Sequence, residues 1–370
     1  MGDPDIRILG SGIVSRCMGL ALAQQGLAVV LQASPPVAQG AQPDLRAYAL
    51  NPASVALLQR LKVWDALPAD ARTPVHEMWV RGDGPGGQIR FSAWQQAVPE
   101  LAWIVDASAL ETVLDAAAGF AARLHLMPQP GPAPLTIVAE GKASAARDQL
   151  GVRFERHAYG QCALAARLQS DQPHGHTAHQ WFRSPDILAL LPLTQPVPGH
   201  AYALVWSLPE AEARRLLAAP ADELAQALQD ATQGAAGRLS LASERALWPL
   251  SLARASALTG PGWALVGDAA HVVHPLAGQG LNLGLADVAA LADTLAEREG
   301  WRSVGDPVML RRYARRRALA TQAMAGTTDG LWALFAAEQP WLRELRNRGM
   351  GLVNELAPLK RWLVGRALQA

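Results

Sequence analysis

The sequence predicts an α/β fold, in which a discontinuous α/β domain carries an inserted, mainly antiparallel β domain and is followed by C-terminal helices. Three stretches carry this prediction: a strand–helix–strand pattern over residues 5–32, alternating apolar and polar residues over 151–193, and an apolar strand leading through a glycine-rich loop into a helix over 262–287. The predicted boundaries are 1–74, 104–158 and 250–330 for the α/β domain, 75–103 and 159–249 for the inserted domain, and 331–370 for the C-terminal helical segment.

Length and composition narrow the class of protein. The chain has 370 residues, which suggests two domains of ordinary size. Half of the residues are apolar and the formal net charge is +1, so the overall charge gives no indication of a nucleic-acid partner. The two cysteines, Cys17 and Cys162, lie far apart in sequence, which is typical of a reducing compartment. We expect a cytoplasmic protein, because the first residues lack a basic signal region and no uncharged apolar run reaches about 18 residues.

The first predicted element is a short buried strand over residues 5–9, followed by a glycine-containing turn and a helix to about residue 25. A second strand is expected over 27–32. The turn resembles the dinucleotide-binding pattern G-x-G-x-x-G, whose three positions are occupied by Gly10, Gly12 and Ser15. The acidic residue expected at the end of the second strand is replaced by Gln32, which can still accept a hydrogen bond. An ordinary turn between strand and helix is the alternative interpretation.

The next elements alternate between helices and strands. A helix is predicted over residues 53–61, and strands within 75–91 that turn at the glycine-rich segment 82–87. We expect a further helix to begin at Ile104 and to run to about residue 114. A proline-rich linker then leads to an apolar strand that starts at Leu135.

The inserted domain is predicted to be an antiparallel sheet. Strands are expected within 151–193 and over 202–208, followed by one amphipathic helix over 210–229. Three histidines lie close together at His174, His176 and His179. They could indicate a metal site, but their spacing is that of a strand with turns and no acidic partner lies in register. We therefore predict no metal.

The stretch over residues 262–287 is the most informative part of the chain. An apolar run over 263–266 has the length and bulk of a buried strand, and Gly267 and Asp268 follow at its end. A segment with two histidines and a proline comes next, and then glycines directly ahead of a helix. Glycines at a helix start expose backbone N–H groups, and the helix N-terminus favours negative charge. An ordinary turn remains the alternative if only the glycines are considered.

The last part of the chain is rich in arginine. Five arginines lie within residues 311–317, and we interpret them as a solvated helix face that pairs with acidic residues; a nucleic-acid or lipid-binding patch is the alternative. In the segment 331–370, six basic residues and two acidic residues follow Pro340, and Trp341, Trp362 and Leu363 lie among them. This pattern fits an amphipathic segment at a membrane surface and a docking helix equally well.

The string GDAAHVVHPLAGQGLNLGLAD resembles the GD motif of FAD-dependent aromatic hydroxylases related to para-hydroxybenzoate hydroxylase, and among them the ubiquinone-biosynthesis hydroxylases of the 2-octaprenyl-phenol type. The resemblance implies a Rossmann-like FAD-binding domain. In that family Asp268 would bond the ribityl chain of FAD, Pro275 would lie beside the flavin ring, and the segment 278–282 would surround the pyrimidine end of the ring. The resemblance makes Pro275 a catalytic candidate. His271 and His274 are further candidates, as acid–base groups; the alternative is that these histidines, beside a proline and small residues, only shape the loop.

The resemblance extends to other segments. The string RAYALNPASVALLQRLKVWDAL places Arg46 between flavin and substrate pocket, although a surface arginine is the alternative. A flavin-contacting Arg or Gln of the family is replaced by Ser108, and the family's Asp-Gly pair, which serves FAD and NAD(P)H, becomes Glu140-Gly141. The implied cofactor-binding residues are Gly10, Gly12, Ser15, Gln32, Arg46, Glu140, Gly267, Asp268, Gly278, Gln279, Gly280, Leu281 and Asn282.

The activity implied by the resemblance is that of a flavin monooxygenase. NAD(P)H would reduce FAD, and a hydroxyl group from O₂ would be transferred to the ring of a polyprenyl phenol in ubiquinone biosynthesis. The implied partners are this substrate, a membrane surface at the inner membrane, and other ubiquinone-synthesis proteins. Because the departures fall on the ADP and ribityl side of FAD, a flavin-poor relative that acts as a lipid-binding or assembly partner is the alternative.

Overall fold

The computed structural model describes residues 3–34, 44–82, 84, 87–273 and 280–318. The strands are β1 (Ile6–Leu9), β2 (Val29–Gln32), β3 (Ala47–Leu50), β4 (Arg72–Val75), β5 (Glu77–Arg81), β6 (Gln88–Ser92), β7 (Ala102–Asp106), β8 (Leu124–Met127), β9 (Leu135–Val138), β10 (Phe154–Ser170), β11 (Thr177–Phe182), β12 (Ile187–Leu193), β13 (Ala201–Pro209), β14 (Leu239–Leu241), β15 (Ala246–Ala255), β16 (Thr259–Gly260), β17 (Trp263–Leu265) and β18 (His271–Val272). The helices are α1 (Ile13–Gln24), α2 (Pro52–Arg60), α3 (Ala93–Gln96), α4 (Ala107–Phe120), α5 (Ala145–Gln149), α6 (Glu210–Ala218), α7 (Ala221–Thr232) and α8 (Gly280–Ala296). Short 3-10 turns cover Trp64–Ala66, Ala69–Ala71 and Gly267–Ala269, and residues 307–318 are helical.

The first sheet has six strands in the order β16-β17-β9-β1-β2-β8. β1 pairs in parallel with β2 and β9, and β17 pairs in parallel with the other side of β9. Ile6, Ile8 and Ile137 are fully buried in one core with apolar residues of α1, α4 and α8, as expected for parallel strands covered on both faces. Since the carboxyl ends of these strands share one edge, the loops after β1, β2, β9 and β17 lie together there.

Three backbone segments meet at Val14 in the first turn of α1. A Cβ on Gly284 of α8 would lie 2.7 Å from Cγ2 of Val14, and a Cβ on Gly267 would lie 3.3 Å from Cγ1 of the same residue. Gly267 also has a positive φ of 60°, which glycine adopts without strain. The two glycines therefore allow α8 and the loop after β17 to contact α1 directly.

The second sheet has nine strands. Eight follow the order β18-β15-β10-β13-β12-β11-β5-β6, and β14 pairs with β10. Its pairs are antiparallel except for the parallel pair of β11 and β5. One face packs against α6 and α7 through a core that includes Leu204, Leu216 and Leu228. The mainly antiparallel sheet predicted from the alternation of residues is thus confirmed.

The nine-stranded sheet also reaches into segments that were assigned to the α/β domain. β10 begins at Phe154, β15 continues to Ala255, and β18 belongs to the same sheet. A third sheet has three strands in the order β3-β7-β4. Two of them, β4 and β7, each cross a predicted boundary between the two domains. Because these strands and sheets extend across the predicted boundaries, the division into two domains remains a prediction.

Two predicted helices differ from the structure. Residues 104–106 form the end of β7 instead of a helix start, because Ile104 and Val105 are β-branched and pair with β3 and β4. The helix begins only after Asp106, whose side chain accepts a hydrogen bond from the N–H of Ala109. The predicted helix over 210–229 is divided into α6 and α7, since Pro220 forces the preceding residue out of the helical conformation.

The arginine-rich helix pairs with acidic residues, as we interpreted it from the sequence. Arg312 contacts Glu299 over 2.8 Å and Arg316 contacts Glu297 over 2.5 Å. Arg317 is buried and forms an ion pair with Asp287. In the described part of the chain, no helix is both long enough and apolar enough to cross a bilayer.

The contact between α1 and α8 gives a stability prediction. Alanine usually stabilises a helix relative to glycine, but Gly284→Ala places its methyl group against Val14 and should lower the free energy of unfolding by about 1–3 kcal/mol. Chemical denaturation of the purified variant measures the effect. The control is Gly119→Ala in α4, where a Cβ meets no atom within 4 Å and where we expect a gain of about 0.5–1 kcal/mol. Equal gains in both variants would contradict the close packing.

Candidate functional site

The loop after β1 is shaped by Gly10. Its φ of +113° suits glycine, and a Cβ at this position would lie 2.3 Å from the carbonyl oxygen of Ala139. The N–H of Gly10 donates to Oε1 of Gln32 over 2.8 Å. Because a backbone N–H requires an acceptor, this bond fixes the orientation of the Gln32 amide and leaves Nε2 as a donor at the end of β2. A carboxylate in its place would offer a second acceptor.

The N-terminus of α1 is open. No side chain of a described residue caps it, and a Cβ on Gly12 would meet no atom within 4 Å. The first N–H groups of a helix attract anions, so this space can hold a phosphate group. Ser15, at the third position of the pattern, is fully buried, and its hydroxyl has no hydrogen-bond partner within the described segments. The serine is therefore accommodated at a cost in stability.

Asp268 lies in the 3-10 turn that follows β17, at the same edge of the sheet. Its carboxylate makes no hydrogen bond or ion pair with any residue that the structure describes. Burial raises the pKa of Asp268, and the positive charges of Lys142 and Arg46 oppose that rise. A half-buried carboxylate without a partner is an acceptor available to the hydroxyl groups of a ligand.

A second carboxylate, Asp287 of α8, is fully buried below this turn. Its Oδ2 accepts hydrogen bonds from the N–H of Gly267 over 2.8 Å and from Nε2 of His271 over 2.7 Å. Its Oδ1 accepts from Nε of Arg317 over 2.6 Å. Burial alone would raise the pKa of Asp287, but the charges and hydrogen bonds of these neighbours hold it below its ordinary value. Asp287 therefore ties the turn with Asp268 to α8 and to the helix over 307–318.

His271 was predicted as a catalytic residue, and the structure places its imidazole in this network. The ring is buried, and Nε2 is bonded to Asp287. Its position in β18 joins the turn to β15 of the second sheet. The geometry gives His271 a role in holding the turn, and direct participation in chemistry remains a prediction.

Asn282 was predicted to contact the cofactor, yet its side-chain oxygen and its amide nitrogen both form hydrogen bonds within the protein. Oδ1 accepts hydrogen bonds from the N–H of Asn51 and from the hydroxyl of Ser54, and Nδ2 donates to the carbonyl oxygen of Ala49 over 2.7 Å. These bonds tie the first turn of α8 to the turn between β3 and α2. These bonds give the side chain of Asn282 a structural role, and its contact with the cofactor remains a prediction.

Arg46 lies beside β3, and its side chain is 45% exposed. It binds Asp44 through Nε and Nη2, and its guanidinium stands 5.8 Å from the ring centroid of Tyr48. The hydrogen bond to Asp44 raises the pKa of Arg46, and burial raises the pKa of Tyr48 to about 12. A contact between Arg46 and the cofactor remains a prediction.

Glu140 follows β9 and caps the next helix. Its Oε2 accepts hydrogen bonds from the hydroxyl of Ser144 over 2.7 Å and from the N–H of Ala146 over 2.9 Å. The additional methylene of Glu, compared with the Asp of the resembled motif, lets the carboxylate reach the N-terminus of α5. Ser108, another residue that departs from the family's pattern, donates a hydrogen bond from its hydroxyl to the carboxylate of Asp106.

Several predicted residues can be placed only in part. Gly280 is the first residue of α8, and Leu281 packs into the core of the first sheet. The remaining predicted residues and the C-terminal segment 331–370 lie outside the described residues: His274, Pro275, Gly278 and Gln279.

The histidines of the second sheet are engaged in other contacts. Nε2 of His174 bonds the carbonyl oxygen of Leu193, and Nδ1 of His176 bonds that of Pro74. Burial, with a further contribution from the charge of Arg81, lowers the pKa of His179 to about 4. No cluster of metal-ligating residues occurs in the described ranges, and the absence of a metal remains a prediction.

The sequence interpretation missed Asp287, Arg317, Asn51 and Ser54. Asp287 was interpreted only as the end of the glycine-rich stretch, and Arg317 only as part of a charged helix face. One signal was present, since Asp287 is surrounded in sequence by apolar residues of α8. Acidic residues are rarely fully buried unless they are paired, so this position could have indicated a buried acceptor with a basic partner.

These features fit FAD. The open N-terminus of α1 suits the pyrophosphate, Gln32 lies where the adenosine ribose is expected, and the unpaired Asp268 suits the ribityl hydroxyls. The three groups share one edge of the first sheet, so one extended ligand can reach them all.

The chain matches the family described as "FAD binding domain" over residues 132–328. It is 33% identical to 3-demethoxyubiquinol 3-hydroxylase of Escherichia coli (strain K12) over 397 aligned residues, which cover 98% of each chain. It is 29% identical to the ubiquinone hydroxylase UbiL of Rhodospirillum rubrum, with 98% of this chain and 89% of that protein covered. PqsL of Pseudomonas aeruginosa, described as a probable FAD-dependent monooxygenase, superposes with a TM-score of 0.76 at 21% identity and covers 94% of this chain and 99% of its own, which shows the shared fold.

The fold and the site define an FAD-binding α/β protein. The chain belongs to the family of FAD-dependent hydroxylases of ubiquinone biosynthesis, within the para-hydroxybenzoate hydroxylase superfamily. FAD is its cofactor, and NAD(P)H is the co-substrate typical of the family.

The orientation of Gln32 gives a prediction for cofactor affinity. Gln32→Glu keeps the bond from the Gly10 N–H and replaces the outward donor by a charged acceptor for a ribose hydroxyl. We expect FAD to bind about tenfold more tightly, as measured by fluorescence titration of the apoprotein. Gln24→Glu, at an exposed position of α1, changes the net charge equally and should leave the affinity unchanged. An unchanged affinity in Gln32→Glu would place the adenosine elsewhere.

The buried position of Asp287 gives a prediction for stability. Asp287→Asn leaves Arg317 buried without its anion and should lower the free energy of unfolding by about 3–5 kcal/mol, whereas Asp293→Asn on the exposed side of α8 should change it by less than about 0.5 kcal/mol. Denaturant titrations measure both values.

The same variant has a defined pH dependence. The pKa of Asp287 is lower in the folded protein than in the unfolded chain, so the ionised carboxylate stabilises the folded state. This stabilisation is fully present above the unfolded pKa of about 4, and it is lost as the pH falls through the lower folded pKa. The stability difference between wild type and Asp287→Asn should therefore shrink below pH 4. A difference that grows in acid would contradict the ion pairs.

Proposed function

We propose that the protein hydroxylates the ring of a polyprenyl phenol in ubiquinone biosynthesis, using NAD(P)H and O₂. The names of the relatives support this assignment, since the 3-demethoxyubiquinol 3-hydroxylase and the ubiquinone hydroxylase UbiL act on ubiquinone precursors by name. Both relatives align with nearly the whole of this chain, so the FAD-binding part and the inserted sheet are covered together.

One observation carries the proposal: Asp268 lies unpaired among the described residues, at the sheet edge where the open N-terminus of α1 can hold a pyrophosphate. Asp268 would accept hydrogen bonds from the ribityl chain. The N-terminus of α8, which begins at Gly280, would place its positive end near the flavin ring. FAD supplies the chemistry of hydride acceptance from NAD(P)H and of dioxygen activation.

The protein's own residues would bind the cofactor and orient it relative to the substrate. Asp287 and His271 hold the turn that carries Asp268, and Asn282 holds the start of α8 against β3. We place His274 and Pro275 beside the flavin ring, as the family resemblance implies. Arg46 and Tyr48, whose side chains lie against each other, are candidates for contacts with the substrate side.

The alternative function, a flavin-poor assembly or lipid-binding partner, is not favoured. It was suggested by the departures at Ser15, Gln32, Ser108 and Glu140. Gln32 still binds the Gly10 loop, and Glu140 has taken a capping role at α5, so both residues have a place in an ordered site. A membrane surface and protein partners remain part of the proposal, because a polyprenyl substrate partitions into lipid.

The purified protein tests the proposal directly. We expect it to be yellow, or to become so with added FAD, and to oxidise NAD(P)H faster when a short-chain prenyl phenol is present. A protein that stays colourless with excess FAD would overturn the assignment. A yellow protein whose flavin no nicotinamide cofactor reduces, with any phenol, would favour the non-catalytic alternative.

Substitutions of Asp268 test its proposed contact with FAD. Asp268→Ala removes the unpaired carboxylate and should weaken FAD binding more than about tenfold, because a hydrogen bond to a charged acceptor is worth about 1.5–3 kcal/mol. Asp268→Asn retains one acceptor oxygen and should fall between Ala and wild type. The flavin content after gel filtration measures both. Asp293→Ala is the control, and an Asp268→Ala protein with full flavin content would refute the role.

A further inference from the structure

Strands β5 and β11 carry a cluster of aromatic and cationic side chains on one face of the second sheet. The parallel pairing places His179 opposite Trp79 and Trp181 opposite Arg81, so these four side chains share one face. Trp181 belongs to the core that also contains residues of α6 and α7, whereas Ala178, on the opposite face, packs with residues of the third sheet. The cluster therefore lies on the face of the second sheet that carries α6 and α7.

The cluster is remote from the region assigned to FAD. In the second sheet, β18 follows the turn with Asp268 and lies at one edge, and β5 is the sixth strand beyond it. At about 4.8 Å per strand, the two strands are roughly 25–30 Å apart along the sheet. Nothing in the proposed hydroxylation uses the cluster, so any ligand bound there has a separate role.

Arg81 lies between two indole rings. Its guanidinium carbon is 5.0 Å from the ring centroid of Trp79 and 5.4 Å from that of Trp181. The imidazole of His179 stacks on Trp181 with 5.4 Å between the ring centroids, and it meets Trp79 edge-on at 5.5 Å. The four side chains are therefore one contiguous cluster, held together by ring packing and cation–π contacts.

The cluster offers hydrogen-bond donors but no acceptor for them. Nη1 of Arg81, Nε1 of Trp79 and Nδ1 of His179 are buried, and none of them bonds a residue that the structure describes. Arg81 also makes no ion pair within the described ranges. Guanidinium and indole N–H groups can only donate, and a neutral imidazole donates from Nδ1 in one of its tautomers. Because unpaired buried donors are unfavourable, a ligand that brings acceptor atoms would stabilise the cluster.

Positive charge accumulates at the cluster. Arg90 of β6 places its guanidinium carbon 4.0 Å from the ring centroid of Trp79. Burial and the charge of Arg90 lower the pKa of Arg81, and burial and the charge of Arg81 lower the pKa of His179 to about 4. Glu77, the acidic residue on the same face of β5, forms no ion pair with Arg81 in the described contacts. The local field therefore favours an anion beside Arg81.

We propose that Arg81, Trp79 and His179 form a binding site for a carboxylate group. A carboxylate accepts two parallel hydrogen bonds from one guanidinium, and its remaining lone pairs accept from an indole N–H and an imidazole N–H. Trp79 and Arg81 are partly exposed, so their side chains can reorient toward a ligand that arrives from solvent. The rings beside the guanidinium exclude water, which strengthens a charge-assisted hydrogen bond.

Two sources can supply the carboxylate. One is a small carboxylic acid in solution, and the other is an acidic side chain of another protein chain. Arginine and tryptophan are enriched among the residues that dominate binding at protein interfaces, so the cluster suits the second source as well as the first. The carboxylate is the chemistry that both sources share, and a comparison of acetate with an acidic peptide separates them.

The test uses the full-length protein with added FAD and with ¹⁵N-labelled tryptophan, and it follows the indole N–H resonance of Trp79 by NMR. Trp79→Phe identifies that resonance by its loss. Acetate, chloride, phosphate, and peptides of four glutamates or four glutamines are titrated at constant ionic strength. Arg81→Gln removes the guanidinium, and Arg123→Gln, at an exposed position between α4 and β8, is the control for net charge. FAD content and melting temperature are measured for every variant.

We expect acetate to shift the Trp79 resonance to saturation. The acetate affinity should fall about tenfold or more in Arg81→Gln, because the charge-assisted hydrogen bonds are lost, and it should stay within about twofold in Arg123→Gln. Arg81→Lys keeps the charge without the bidentate geometry and should bind acetate with intermediate affinity, which tests the site even if Arg81→Gln does not fold. Tighter binding of the glutamate peptide than of acetate, with no binding of the glutamine peptide, identifies a protein source. Equal affinities for acetate and the glutamate peptide identify a small carboxylic acid.

The turn after β5 contains one acidic residue, Asp83, which lies outside the described residues. Asp83→Asn should change the acetate affinity by less than about twofold. A gain of about tenfold in this variant would mean that the chain's own carboxylate occupies the site, and it would overturn the proposal. The absence of a saturable shift, equal shifts with chloride and acetate, tighter binding of phosphate than of acetate, or an equal loss in Arg123→Gln would overturn it too.

Discussion

The buried carboxylate of Asp287 joins α8 to three other segments: the turn after β17, β18 of the second sheet, and the helix over 307–318. A lone charge at this depth would be strongly unfavourable, so its burial depends on receiving a backbone N–H, an imidazole and a guanidinium at once. This requirement fixes where the turn lies relative to α8. The position of Asp268, and with it the ligand-facing side of the turn, results from that arrangement.

The two ends of the site are held by different means. At the β1 end, the shape comes from backbone contacts: Gly10 fits against Ala139, and Gln32 binds the Gly10 N–H. At the β17 end, it comes from side-chain networks around Asp287 and Asn282 that fasten α8 to its neighbours. Val14 connects the ends, because it packs against both Gly267 and Gly284. Packing around Val14 therefore fixes the position of one end relative to the other.

Most of the fold could be predicted from the sequence because its elements are locally encoded. The apolar runs of β1 and β17, the alternation in β10 and the glycines before α8 are periodic or positional patterns. The exceptions have local physical causes: the β-branched pair Ile104-Val105 prefers a strand that only β3 and β4 provide, and Pro220 interrupts an otherwise continuous helical pattern.

In the proposed site, the sequence could indicate only the residues that occupy known motif positions. Gly10, Gly12 and Asp268 follow from motif positions, whereas the partners of Asp287 depend on tertiary contacts between segments up to 30 residues apart. Asn282 shows the same limit in another way, since its motif position suggests a ligand contact while its side chain bonds Ala49, Asn51 and Ser54. Pattern alone does not distinguish a residue that binds a ligand from one that holds the binding residue in place.

The activity proposed for this protein is the insertion of oxygen from O₂ into the ring of a prenylated phenol. Its most direct test is mass spectrometry of the product formed by the FAD-loaded protein with NAD(P)H, a short-chain prenyl phenol and isotopically heavy dioxygen. We expect a hydroxylated product that carries one heavy oxygen atom from dioxygen. Oxygen derived from water, or NAD(P)H oxidation without any hydroxylated product, would contradict the assignment.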